Sequence, residues 1–213
     1  MHVIELWRYP VKSLAGEPID TTDLSPNGIS GDRLVHVQDR RGRVVTSRTR
    51  PRLLGLRSTL DHHGHALIDG RPWTDPTSLD AVRTAADDGA RLVQYDGPER
   101  FDVLPLLIAT DGAIARLGVD RRRLRPNIVV GGVEGLAERE WPGRRLAIGA
   151  TAIVAVAQLR GRCIMTTFDP DTQEQDLSVL RRIRDEFGGT MALDCDVIRG
   201  GRIALGDAVV LLN

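Results

Sequence analysis

Between residues 53 and 94 the chain alternates short apolar runs with turn signals: Asp61-His62-His63-Gly64-His65, Asp69-Gly70-Arg71-Pro72 and Asp87-Asp88-Gly89. Punctuation this regular predicts an antiparallel sheet or barrel. The flanking sequence agrees. Val3-Ile4-Glu5-Leu6-Trp7-Arg8 reads as a strand stopped by Pro10, which lacks the N–H a ladder needs. After the turn Ser25-Pro26-Asn27-Gly28, the strand Leu34-Val35-His36-Val37-Gln38 returns through Asp39-Arg40-Arg41-Gly42 into Val44-Val45-Thr46. Phe101 to Ile108 reads as a kinked buried strand, and Leu124 to Val130 as another that sets Arg125 and Asn127 on one face. Two helices interrupt the pattern. One runs from Asp111 to Leu117, capped by Thr110 and ended by Gly118. The other runs from Leu177 to Phe187, with Leu177, Leu180, Ile183 and Phe187 marking one face. Residues 197–212 read as two short strands around a turn. The expected fold is mainly β with a few helices (α+β), with a soft domain boundary near residue 90.

Composition excludes several classes of function. With 29 basic and 29 acidic residues the formal charge is zero, so nothing draws the chain to nucleic acid or to an anionic membrane. Two cysteines make neither a disulfide framework nor a four-ligand zinc site. The start of the chain has no signal-peptide pattern and no apolar run is long enough to span a bilayer, so a reducing, cytoplasmic setting is expected. His62, His63 and His65 read as a hairpin tip rather than metal ligands. Asp120-Arg121-Arg122-Arg123 reads as a surface turn, and Arg48, Arg50 and Arg52 as a solvated basic run. There is no dinucleotide fingerprint, phosphate loop or nucleophile elbow, and no histidine follows His65.

The chemistry concentrates around Leu159-Arg160-Gly161-Arg162-Cys163-Ile164-Met165-Thr166-Thr167-Phe168-Asp169-Pro170. The strand-like run Ala152-Ile153-Val154-Ala155-Val156-Ala157 leads into it, so Cys163 sits where the chain leaves the core. Arg160 and Arg162 flank the thiol, and positive charge favours the thiolate that binds metals and attacks electrophiles. The alternative is a small buried hydrophobe. Cys195 lies between Asp194 and Asp196, which oppose ionisation, and reads as structural. Lys12 is the only lysine among the 29 basic residues, a compact ammonium where the chain otherwise uses arginine. Lys12 and Ser13 offer an ammonium, a hydroxyl and a backbone N–H from one loop, a grip suited to phosphate. Arg33 either faces an anion or pairs with its neighbour Asp32.

Three separated motifs resemble the MOSC family: Tyr9-Pro10-Val11-Lys12-Ser13, Leu124-Arg125-Pro126-Asn127-Ile128, and Arg162-Cys163-Ile164-Met165-Thr166-Thr167-Phe168-Asp169-Pro170-Asp171-Thr172. Within it the likeness is closest to the mitochondrial amidoxime reducing components. The resemblance implies an N-terminal β-barrel-like domain over residues 1–90 and a MOSC domain with a β-barrel core over residues 91–213. It implies molybdenum cofactor (Mo-molybdopterin), with Cys163 as thiolate ligand to the metal and catalytic centre. It implies cofactor contacts from Lys12, Ser13, Arg33, Arg125, Asn127, Gly161 and Arg162, and it carries a family-level association with pyridoxal phosphate. The implied activity is reduction of small N-hydroxylated substrates, amidoximes or hydroxylamines, with electrons from a separate electron-transfer protein. The chain departs from the family pattern at Gly161, where a serine is usual, and at Val103-Leu104, where two hydroxyl residues are usual. The alternative function is a sulfur carrier or cofactor handler using Cys163 as a persulfide or cofactor ligand. The remaining one is a binding module without chemistry.

Overall fold

The computed structural model describes residues 1–95, 97 and 100–212. Its main feature is one mixed eight-stranded sheet. In spatial order the strands are Val209–Leu212, Arg145–Ile148, Ala152–Gly161, Thr190–Arg199, Leu106–Thr110, Ile128–Gly131, His2–Arg8 and Glu17–Ile19. All neighbours are antiparallel except Leu106–Thr110 beside Ile128–Gly131. A parallel pair needs a crossover, and helix α2 (Asp111–Leu117) lies in it, between an accepting Thr110 hydroxyl and a left-handed Gly118. The sheet curls without closing through a ladder. The first strand meets the entry to the last in a single antiparallel bridge, His2 to Ala208, backed by the Val3 N–H to the Asp207 carbonyl at 2.9 Å.

That curl encloses an apolar core built from both ends of the chain. Val3, Leu6, Leu24 and Ile29 pack with Leu106, Ile108, Ile128, Leu146, Val154 and Leu193. A second core unites Val11, Leu14, Val35, Val37, Leu53, Ile68 and Val82. Around it stand three-stranded sheets, one of Arg91–Gln94, Val35–Gln38 and Val44–Val45, the other of Ser58–Leu60, Ala66–Ile68 and Arg71–Pro72. The first thirty residues therefore belong to both cores, and the loop after Arg8 lies where they meet. No helix among the described residues is long and apolar enough to cross a membrane.

The sequence reading differs from the structure at four elements. Helix α1 (Pro76–Ala85) falls within a stretch read as strands and turns. Its start was legible, since Asp75 accepts the Thr77 N–H at 2.7 Å and Pro76 opens the first turn. The strand expected from Phe101 begins only at Leu106. The strand expected from Leu124 begins only at Ile128, because Arg125 is left-handed (φ 56°) and Pro126 has no N–H. Helix α3 (Leu177–Phe187) has the expected bounds, but it buries Val179, Ile183 and Phe187 while Leu177 stays 50% exposed. Phe187→Ala is expected to cost about 3–5 kcal/mol, and Leu177→Ala almost nothing. Urea titration of both variants checks this; a larger loss from Leu177 would place the wrong face inward.

Candidate functional site

Four segments distant in sequence converge on one cavity of about 190 Å³. The loop after the first strand contributes Lys12 and Ser13, and the turn before Val35–Gln38 contributes Arg33. Arg125 comes from the turn before Ile128–Gly131. Gly161, Arg162 and Cys163 come from the end of the long Ala152–Gly161 strand. Asn127 does not line this cavity.

Local hydrogen bonding explains why each segment is held. The Lys12 N–H donates to the Val35 carbonyl at 2.8 Å, and the Ala15 N–H to the Leu56 carbonyl at 2.9 Å, so both sides of the loop are pinned. At the far wall, the Arg162 N–H donates to the Gly189 carbonyl at 2.9 Å. The Cys163 carbonyl then accepts the Thr166 N–H at 3.1 Å and the Thr166 hydroxyl at 2.9 Å, starting the 3-10 turn Ile164–Thr167. Arg122 reaches both Asp120 and Asp171, and Arg123 reaches Asp169 and the Thr167 carbonyl at 2.9 Å, stapling the loop that follows the cysteine. The basic turn read as surface therefore fixes the site's floor.

Asp32, fully buried, ties the walls together. It accepts the Tyr9 N–H at 2.7 Å and the Asn127 amide at 3.2 Å, and it pairs with the Arg33 guanidinium. Arg33 pairs with Asp32, the second of its two sequence readings, and it also lines the cavity. Asn127 is turned inward, with its amide oxygen on the Leu107 N–H at 3.1 Å, so it fixes the walls from behind. Among the described residues, three of the six non-glycine residues with left-handed backbone are Ser13 (φ 76°), Arg33 (φ 54°) and Arg125 (φ 56°). Strain of this kind persists only where surroundings over-determine it, and it clusters at functional sites.

The cations divide into two groups. Lys12 Nζ pairs with Asp102 at 2.9 Å and donates to the Arg100 carbonyl at 2.9 Å. Arg48 reaches the same Asp102 at 3.3 Å, and Arg160 pairs with the fully buried Asp194 at 2.6 Å. Of the two arginines flanking Cys163 in sequence, only Arg162 keeps its charge unspent. Arg125 and Arg162 have no carboxylate within ion-pairing distance among the described residues. Arg125 lies over the Tyr9 ring at 4.2 Å, a cation–π contact that leaves its N–H edges free. Arg162 gives one N–H to the Leu124 carbonyl at 2.8 Å, while its buried Nε has no acceptor. Burial pushes the Arg162 guanidinium down to about 10, and Arg160 adds to the effect while Cys163 opposes it. Burial likewise lowers Arg125.

Two half-buried cations without anions are costly alone and stabilising once an anion arrives. Pyrophosphate is therefore expected to raise the melting temperature, by about 2.7 kcal/mol of stability at a hundredfold excess over its Kd. The increment should vanish in Arg125→Ala combined with Arg162→Ala; an unchanged increment would place the anion elsewhere.

The site fits a phosphate-bearing ligand that also carries a soft metal. It supplies one thiol, which is partly exposed and free, and two guanidinium groups with unspent donors. The Ser13 hydroxyl also has no protein acceptor among the described residues. Cys195, by contrast, is fully buried, and burial pushes its thiol well above the usual range, with Asp194 and Asp196 adding to it. Sequence reasoning missed Asp102, Arg123 and Met165 as cavity residues. Asp102 stands next to Phe101 with no local motif, and only the fold brings it to Lys12.

Residues 1–98 match the MOSC N-terminal beta barrel domain and residues 109–210 the MOSC domain. Human mitochondrial amidoxime-reducing component 1 is 27% identical over 286 residues, which covers 99% of this chain and 83% of that protein. Human mitochondrial amidoxime reducing component 2 is 27% identical over 246 residues, covering 85% and 72%. The crystal structure of the YUAD protein from Bacillus subtilis aligns over 100% of this chain and 96% of that one, with a TM-score of 0.50 and 15% identity, a likeness of fold alone. The two matched domains follow each other along nearly the whole chain, and the candidate site draws residues from both. The chain belongs to the MOSC family, with a MOSC N-terminal domain ahead of its MOSC domain, and its relatives include the mitochondrial amidoxime reducing components.

Proposed function

We propose that the cavity beside Cys163 holds molybdenum cofactor, and that the protein is an oxidoreductase removing oxygen from N-hydroxylated substrates. The observation that carries this reading is the pairing of a free, partly exposed thiol with two guanidinium groups that lack anions, all lining one cavity. When bound, the cofactor supplies two-electron redox chemistry at a metal that accepts oxygen. The names of the relatives supply the substrate class, amidoximes. In balance, an amidoxime takes up two electrons and two protons, its N–O bond breaks, and the products are an amidine and water. The electrons come from a separate electron-transfer protein.

The chain's own residues have distinct tasks. Cys163 contributes a soft sulfur ligand, suited to a soft metal centre. Arg125 and Arg162 hold the acidic part of the cofactor, with the Ser13 hydroxyl as a further donor. Lys12 and Arg48 share the single carboxylate of Asp102, so the mouth of the cavity keeps a net positive charge that steers anions at longer range. Asp32 and Asn127 hold the walls in register without touching the ligand. Protein produced in cofactor-competent cells and given a chemical electron donor should convert benzamidoxime to benzamidine. Failure with molybdenum present would leave a cofactor handler; added sulfur on Cys163 without molybdenum would point to a persulfide carrier.

A further inference from the structure

A second cavity, of about 390 Å³, adjoins the first and shares Arg123, Arg125 and Met165 with it. Its walls are largely apolar: Tyr9, Leu54 and Phe168 are buried there, and Trp7 is half-buried. Four arginines also line it, and their partners differ. Arg122 and Arg123 are occupied by Asp120, Asp171 and Asp169. Arg125 has no carboxylate partner, and neither has the exposed Arg57, whose side chain makes no hydrogen bond or ion pair among the described residues. Arg57 does not line the Cys163 cavity, whereas Arg125 lines both. One unspent guanidinium thus stands at the boundary with the Cys163 chamber and one lies away from it. The backbone under Arg57 is fixed, since its N–H donates to Asp69 at 2.9 Å and Ala15 bridges it on the other side.

We propose that this second cavity is the substrate chamber, and that it selects a flat, ring-bearing N-hydroxylated compound whose far end carries an acidic group for Arg57. The inference rests on the proposed function for the identity of the reacting group, but the binding it predicts needs no metal. Aromatic and apolar walls take the ring. The rim shared at Arg125 and Met165 brings the N–OH end to the border of the Cys163 chamber. Arg57 reads the acidic end by a charge-assisted pair.

The test is calorimetric binding of benzamidoxime and of 4-carboxybenzamidoxime to the full chain. Native protein should bind the carboxylate about tenfold more tightly, the usual scale for one good charge-assisted contact. Arg57→Gln should erase that difference and leave benzamidoxime binding unchanged. Cys163→Ser should leave both affinities as they are, and so should loading with cofactor. Equal affinity for the two probes in native protein would overturn the proposal, as would an undiminished preference in Arg57→Gln. Loss of probe binding on cofactor loading would give the cavity to the cofactor and also overturn it. Absence of molybdenum from native protein, by contrast, would sink the oxidoreductase reading while leaving the probe result standing.

Discussion

Cys163→Ser is expected to abolish amidoxime reduction, lowering turnover by about a thousandfold or more, the scale seen when a group acting directly at a reacting centre is removed. The substitution is nearly isosteric, but the two atoms differ in the property that counts. A cysteine sulfur is a soft ligand for a soft metal centre, whereas a serine oxygen is a hard one. Because the Cys163 side chain is partly exposed and its carbonyl makes the local hydrogen bonds, stability should hardly change. Cys195→Ser should give the opposite pattern. That side chain is fully buried in the apolar core, so a hydroxyl there costs about 1–3 kcal/mol while the site keeps its thiol. Turnover measured beside thermal melting separates the two, and equal behaviour of both serine variants would remove Cys163 from its special place.

Asp32→Ala is expected to be the most destabilising change near the site, costing about 3–5 kcal/mol, because it leaves the Arg33 charge unpaired beside a buried wall. It also strands the Tyr9 N–H, and it leaves the Asn127 amide only its longer contact to the Trp7 carbonyl at 3.4 Å. Tyr9, Arg33 and Asn127 belong to three segments, so loss of their shared partner loosens the walls relative to one another. Phosphate-induced stabilisation should therefore fall together with intrinsic stability, although Asp32 lines no part of the cavity. Denaturant titration with and without pyrophosphate measures both. A stable variant with unaltered anion binding would show that the walls are held by something other than this carboxylate.

Much of this architecture was legible in the sequence, where local chemistry and fold agree. Thr110 and Gly118 mark both ends of α2, and the strand Ala152–Gly161 carries its cysteine to the rim as read. The motif residues Lys12, Ser13, Arg33, Arg125, Gly161, Arg162 and Cys163 were all legible as candidates, and the fold gathers them. What could not be read is how charge is shared among residues remote in sequence. Arg160 and Arg162 look equivalent beside Cys163, but the partner strand places Asp194 under Arg160 alone. Arg125 and Asn127 look like neighbours on one strand face, but a left-handed residue turns one to the cavity and leaves the other facing inward. Helix α1 was missed because its cap, Asp75-Pro76, also reads as a turn between strands.

The central claim is that Cys163 and two anion-seeking arginines together hold one molybdenum cofactor. Native protein purified from cofactor-competent cells should contain one molybdenum and one pterin phosphate per chain, and X-ray absorption should show a sulfur neighbour of the metal that disappears in Cys163→Ser. Native protein containing neither molybdenum nor pterin, or a metal whose sulfur neighbours are the same in Cys163→Ser, would contradict the account.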